Sequence, residues 1–136
     1  MVLGLGSFGV SAALSLAEYG LNVLGVDRNR EIVHALAGRL DRLAVADSTD
    51  LDALRGLGVG EAQRALVAIA QDVVTSVLTT SLLAELGVPE IWARAETVRH
   101  GRILERVGAH HVVLPRHGIE VTLMGLHHVA PSQRRV

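Results

Sequence analysis

The stretch VLGLGSFGVSAALSLAEYGLNVLGVDRN, residues 2 to 29, restricts the fold more than any other part of the chain. A short apolar run enters Gly4-Leu5-Gly6-Ser7-Phe8-Gly9, a helix-like stretch follows, and a second apolar run ends in Asp27. The pattern G-x-G-x-x-G is weak by itself and gains meaning from its setting, at the exit of a strand and the entry of a helix. There Gly4 permits a tight turn, Gly6 lets a phosphate approach the backbone, and Gly9 lets helix and strand pack closely. The N–H groups that open such a helix face an anion. Asp27 stands 18 residues beyond Gly9, about where an acid accepts bonds from ribose hydroxyls and repels a 2′-phosphate. Arg28 next to it acts in the opposite sense and attracts one. The alternative for Asp27 is a turn cap.

The rest of the chain alternates between strand and helix. Runs of β type fall at Val2–Leu5, Asn22–Val26, Arg42–Val45, Arg64–Ile69, Glu90–Ala93 and His111–Leu114. In the first helical stretch Val10, Ala13, Leu14 and Ala17 share one face, and Gly20 is placed to end it. The longest helix is expected from about Asp72, a natural N-cap, to Leu86, with Gly87-Val88-Pro89 as its stop. Strands buried on both faces and alternating with helices predict an α/β fold, a Rossmann-like, doubly wound, parallel six-stranded sheet with helices on each side. In the usual order 3-2-1-4-5-6, Asp47 and Ser48 follow strand three on the adenine side, where Asp47 accepts from the adenine amino group. The alternative for Asp47 is the N-cap of a short helix from Asp50. Ala70 and Gln71, after strand four, bring backbone beside the nucleoside. Residues 1–117 form the expected nucleotide-binding domain, and residues 118–136 a C-terminal helix and tail. The segment Gly118–Val129 is apolar round most of its circumference, which leaves two readings open: a partner surface covers it, or it folds back on its own sheet.

Composition narrows the chemistry. At 136 residues the chain is one domain, long enough for a proper core. It has no cysteine, so disulfides, thiolate metal sites and a thiol nucleophile are excluded, and a cytoplasmic home is the default. All 13 basic residues are arginine, which removes Schiff-base chemistry and the lysine of a P-loop. A net charge of −1 without a basic block argues against nucleic acid. No apolar stretch reaches the roughly 18 residues of a membrane span. Met1 runs straight into a strand-like segment with no basic leader, so no secretory signal is expected. That same abrupt start leaves the first strand little length, and the natural chain is expected to begin upstream.

Four stretches together resemble the RCK/KTN (TrkA-N type) regulatory domain of potassium channels and Ktr/Trk transporters. They are GLGSFG with VDRN, VADSTD, LVAIAQDVVTSVLTTSLLAELGVPEIWARA and LERVGAHHVVLP, covering about residues 2 to 128. The third is the most specific. The resemblance implies a cytoplasmic regulatory subunit, peripheral to the inner face of the membrane through a potassium channel or transporter subunit. It implies a homodimer within an octameric gating ring, with the last helix as crossover and dimerisation element. A C-terminal ligand-binding domain common in such relatives has no counterpart expected within these 136 residues. The implied ligand is an adenine nucleotide, ATP, ADP or NAD(H). Implied contacts are Gly4, Gly6, Ser7, Phe8 and Gly9; Asp27, Arg28 and Asn29; Asp47 and Ser48; Ile69, Ala70 and Gln71; Arg94 to Glu96; and His100. ATP-responsive members carry an arginine at the position of Ser7 and a glutamate at that of Arg116. Both departures involve charge and argue against a carboxylate-held divalent cation. Arg116 is the candidate to supply the phosphate-facing charge that Ser7 lacks; the alternative is a solvated arginine.

The sequence holds no H-E-x-x-H and no nucleophile elbow, and no metal site or catalytic residue is expected. Its histidines read as scattered surface groups, and Glu105 as a solvated partner of Arg102. A non-enzymatic sensor is the favoured reading. The alternatives are an NAD-binding domain detached from a dehydrogenase and an assembly module with a vestigial crevice.

Overall fold

The structure is a computed structural model that describes residues 1–115. Arg116 and the helix expected over 118–129 lie outside the described residues. Six strands, β1 (Val2–Leu3), β2 (Leu24–Asp27), β3 (Arg42–Val45), β4 (Arg64–Val67), β5 (Glu90–Arg94) and β6 (His111–Val113), form one parallel sheet in the order β3-β2-β1-β4-β5-β6. The expected order is the observed one. Five helices connect them: α1 (Ser7–Glu18), α2 (Arg30–Ala35), α3 (Leu51–Gly56), α4 (Val73–Glu85) and α5 (Val98–Val107), with a single 3-10 turn at Val59–Glu61.

Each face of the sheet has its own aliphatic core. On one, Phe8, Ala12 and Leu16 of α1 and Val33 of α2 meet Val2, Leu66, Trp92 and Val113. On the other, Leu54 of α3, Leu83 of α4 and Leu104 of α5 meet Leu3, Val26, Val67, Ile91 and Ala93. Alternate residues of a strand point to opposite faces, so Val2 and Leu3 serve different cores. Burying such a side chain contributes about 1.5–3 kcal/mol, and the core needs few aromatic rings.

The ends of the elements follow local chemistry. The ladder of β1 stops after Leu3 because the chain turns at Gly4, whose φ of +99° suits glycine. Gly4 N still donates to the Val26 carbonyl at 2.8 Å, but Leu5 N leaves the ladder for the Asp27 side chain. Asp72 caps α4, accepting from Thr75 N at 3.1 Å, and Gly87 follows the last turn with φ +84°. Both match the expected start and stop.

Two local expectations are corrected. The face of α1 turned to the sheet is Phe8, Gly9, Ala12, Ala13 and Leu16, whereas Val10, Leu14 and Ala17 are only partly buried. The apolar residues of α1 nearly encircle it, so period alone does not choose the stripe; the contact of Gly9 with the Gly4 turn does. Arg102 and Glu105 are both exposed, and the ion pairs among the described residues lie elsewhere, at Arg55–Asp52, Arg64–Glu90 and His111–Glu90.

The Gly9 contact can be tested directly. A Cβ on Gly9 would overlap the Gly4 carbonyl oxygen and carbon, which are backbone atoms that cannot step aside. Gly9→Ala is expected to cost about 2 kcal/mol or more in urea denaturation, the range of overpacked cores.

Candidate functional site

The carboxyl ends of β1, β2, β3 and β4 meet a crevice where the chain crosses from one half of the sheet to the other. Open parallel sheets take ligands at this place. Asp27, the last residue of β2, receives Leu5 N on Oδ2 and Asn29 N on Oδ1, each at 2.8 Å. A carboxylate oxygen accepts more than one bond, so the group keeps capacity for hydroxyl donors. Asn29 turns its own side chain away to cap α2, accepting from Glu31 N and Ile32 N at 2.9 and 3.3 Å.

Asp47, just after β3, accepts on Oδ1 from both Thr49 N and Thr49 Oγ1, at 2.9 and 2.6 Å. The Thr49 hydroxyl and amide hold its carboxyl below the usual range, with a smaller contribution from the Arg28 guanidinium. The cap of α3 is Asp50, which accepts from Asp52 N and Ala53 N, so the reading of Asp47 as that cap is overturned. Ser48 is buried, with its hydroxyl 2.7 Å from Thr79 Oγ1 on α4.

Gly4, Asp27, Arg28, Asp47, Ser48 and Ile69 come together round one cavity of about 130 Å³. Val26, Ala46, Asp72 and Thr75 complete its lining. Asp72 and Thr75 are absent from the sequence-based set. The available signal was Asp72 as a helix cap, and that cap stands at the crevice wall. The Thr75 amide and hydroxyl hold the Asp72 carboxyl low, with Arg28 again adding a smaller pull. Three carboxylates and one guanidinium thus surround this end of the crevice.

The other end is built of backbone. Gly6 is the N-cap residue of α1, and no side chain caps the helix. The first-turn amides of a helix have no intrahelical acceptor. Gly6 and Ser7 are exposed, and a Cβ on Gly6 would meet nothing within 4 Å. Phe8 turns inward beneath Arg94, whose guanidinium carbon lies 4.7 Å from the ring centroid. Ile69 overhangs the glycine turn, with its Cγ1 2.7 Å from where a Gly4 Cβ would stand. Ala70 is buried and Gln71 exposed beyond it.

His100 differs from expectation. It is 3% exposed rather than a surface group, and its ring lies between α4 and α5. Thr97 caps α5 by accepting from His100 N, which turns the side chain inward. Nε2 is 2.7 Å from Ser76 Oγ, and Nδ1 accepts from Glu96 N at 3.2 Å. His110 Nδ1 accepts from Ile91 N, and His111 stacks on Trp92 with centroids 4.2 Å apart. Among the described residues no group of three or more His, Asp or Glu is set to hold a metal ion. A larger groove of about 440 Å³ lies round Met1, Asn22, Arg42 and Arg64. It sits at the amino ends of the strands, away from the glycine turn, and is not the candidate.

With this geometry in place, comparison identifies the class. The family model of the TrkA-N domain matches residues 1–115, and the chain belongs to that family. Among curated relatives it is 37% identical over 122 residues to Ktr system potassium uptake protein A of Bacillus subtilis, covering 90% of this chain and 55% of the relative. It is also 37% identical over 114 residues to Ktr system potassium uptake protein C of the same organism, covering 84% of this chain and 52% of the relative. The chain therefore spans about half the length of the curated relatives it matches. The TrkA-N domain of the Escherichia coli inner membrane protein ybaL shares the fold with a TM-score of 0.78 at 18% identity, over 92% of this chain and 93% of that one. The GsuK channel does so with a TM-score of 0.74 at 19% identity. Its NAD-bound structure matches 82% of this chain and 20% of that one; its ADP-bound structure matches 83% and 30%. No helix among the described residues is long and apolar enough to cross a membrane.

The His100 environment sets a pH dependence. Burial lowers the imidazole below its ordinary 6.5, so the unfolded chain takes up a proton first on acidification. The stability this site contributes is fully present above about pH 6.5 and is lost as the pH falls below it. Urea denaturation at pH 7.5 and 5.5 is expected to show a drop in the wild type that is smaller in His100→Gln.

Proposed function

We propose that this chain is the nucleotide-sensing domain of a cytoplasmic regulatory subunit that gates a potassium channel or transporter. The observation that carries the reading is the pairing of two unlike ends in one crevice. At one end stand the uncapped amides that open α1, over a Gly6 with open space beside it; at the other is the Asp27 carboxylate, clamped by Leu5 N and Asn29 N. A diphosphate rests on the first and a ribose donates to the second. Membership of the TrkA-N family and likeness to Ktr potassium uptake proteins supply the physiological setting.

The favoured ligands are ADP and NAD(H); a channel of the same fold has been seen with ADP and with NAD. A diphosphate needs neither a cation at Ser7 nor a carboxylate-held metal. Arg116 is proposed to face a terminal phosphate when ATP is bound, and the ATP affinity of Arg116→Ala checks it. Asp47 accepts from the adenine amino group through the oxygen that Thr49 leaves free. The Asp27 carboxylate repels a 2′-phosphate, so NAD(H) is preferred over NADP(H). In this reading Arg94 lines the far mouth of the crevice, and the ring of His100 acts from behind it.

The mechanism is conformational and not catalytic. Homodimers within a ring of subunits adopt two geometries with unequal nucleotide affinity, and only that inequality shifts the gate. Assembly with the membrane subunit places the chain at the inner face of the membrane.

Calorimetry and thermal shift across ATP, ADP, NAD⁺, NADH and NADP⁺ test the reading. Saturation at a hundred times Kd is expected to stabilise the chain by about 2.7 kcal/mol for the cognate ligand. Binding of NADP⁺ is expected to be about tenfold weaker than that of NAD⁺, roughly 1.4 kcal/mol. Gly6→Ala is expected to fold with a loss below about 1 kcal/mol, since its Cβ enters open space. The same Cβ occupies the approach of the phosphate, so the ligand-induced shift is expected to vanish. Undiminished nucleotide binding by Gly6→Ala would move the pocket elsewhere.

A further inference from the structure

We infer that α4 is the strut that positions two loops at the carboxyl edge of the sheet, the one after β3 beside the crevice and the one after β5, acting through two buried hydroxyls one turn apart, Thr79 and Ser76. The inference rests on the nucleotide reading of that crevice. Thr79 is fully buried, and its Oγ1 lies 2.7 Å from the hydroxyl of Ser48, 31 residues away in sequence. Ser48 follows Asp47 directly, so this bond fixes the loop that meets adenine. The Ser48 hydroxyl is accordingly turned to α4, and the loop's charged group at the cavity is Asp47.

Ser76 holds the second loop. Its hydroxyl has a single proton, which it donates to the Val73 carbonyl at 3.1 Å. It therefore accepts from His100, which must carry its proton on Nε2. That tautomer leaves Nδ1 bare to accept from Glu96 N, on the loop after β5. The bonds agree on one assignment, and every group in the chain of contacts is satisfied. Thr80, also buried, bonds only its own helix at the Ser76 carbonyl, and it serves as an internal control.

Both ties end on α4, so the two loops share one reference frame. A nucleotide that draws Asp47 inward either carries α4 with it or breaks a bond between buried hydroxyls. Occupancy of the crevice and the placement of α4 against α5 are thus linked, and the linkage is reciprocal. Thr79 and Ser76 are positioning residues; neither reaches the ligand.

The test compares Thr79→Val, which keeps the shape and removes the hydroxyl, with Thr79→Ser, Thr80→Val and Ser76→Ala. Amide hydrogen exchange is read in the ligand-free chain at Ser48, Thr49 and Glu96, and ADP and NAD⁺ affinities are measured by calorimetry. Thr79→Val is expected to speed exchange at Ser48 and Thr49 and to weaken ADP by roughly fivefold, the worth of one buried bond. Thr79→Ser is expected to return affinity to within about twofold, and Ser76→Ala to speed exchange at Glu96. Thr80→Val is expected to lower the melting temperature while leaving affinity unchanged, which a merely structural role for Thr79 would also give. Wild-type exchange and affinity in Thr79→Val would overturn the inference. Absence of any adenine-nucleotide binding by the wild type would instead defeat the functional reading, and the exchange data would still decide whether α4 holds the loops.

Discussion

The contact between Gly9 and the Gly4 carbonyl governs where everything else can stand. Because the volume beside Gly9 is filled by backbone, α1 begins directly against the end of β1 rather than one side chain away. Its uncapped first turn is thereby held at the carboxyl edge of the sheet. The same turn releases Leu5 N from the ladder, and Asp27 on the neighbouring strand takes it. Gly4 N remains on Val26. The glycine turn that opens α1 and the Asp27 carboxylate are consequently parts of one hydrogen-bonded unit. Neither can drift without disturbing the pairing of β1 with β2.

A second constraint comes from α4, whose sides are the reverse of a simple amphipathic helix. Ser76, Thr79 and Thr80 are buried, while Val73, Val74 and Leu78 are exposed. Buried hydroxyls are tolerated only when bonded, and each of the three has a partner. Leu83 on the same helix reaches the aliphatic core, so α4 is anchored by apolar packing at one end and by polar ties along its middle. Polar ties are directional in a way that apolar packing is not, and this is what lets the helix fix a loop's orientation.

The sequence made the sheet legible because its signals are local and redundant. Each strand is a short apolar run, each major helix has a cap or a glycine stop, and the glycine turn with Asp27 fixes the crossover. The strand order and the span of α4 followed from these. What stayed hidden depends on contacts across the chain. The inward stripe of α1 is chosen by Gly4, not by its own period. Asp47 reads as a candidate cap for the helix from Asp50, and in the folded chain Asp50 itself takes the role. Asp72 reads as a cap and is one, yet only the approach of α4 to the loop after β3 shows that the cap also walls the crevice. The inward turn of His100 is set by Thr97 and Ser76, which no spacing rule couples. Arg116, on which the phosphate argument partly turned, lies outside the described residues.

The charge layout of the crevice fits the proposed sensing role. Asp27, Asp47 and Asp72 gather where sugar and base would lie, with Arg28 among them. The ion pairs among the described residues do not include Arg28, whose guanidinium adds only a small pull on Asp47 and Asp72, so three carboxylates outweigh it in that wall. A diphosphate therefore gains little from side-chain charge at that end and depends on oriented amides at the start of α1. Amide contacts are sensitive to position, because a hydrogen bond weakens steeply once its angle is lost. A small shift of the loops relative to α1 then changes affinity more than it would in a site built on long flexible cations. That difference in affinity between two geometries is the only quantity a ligand can use to move an equilibrium. In the proposed role, a backbone cradle facing loops tied to α4 would supply it with no chemistry performed on the nucleotide.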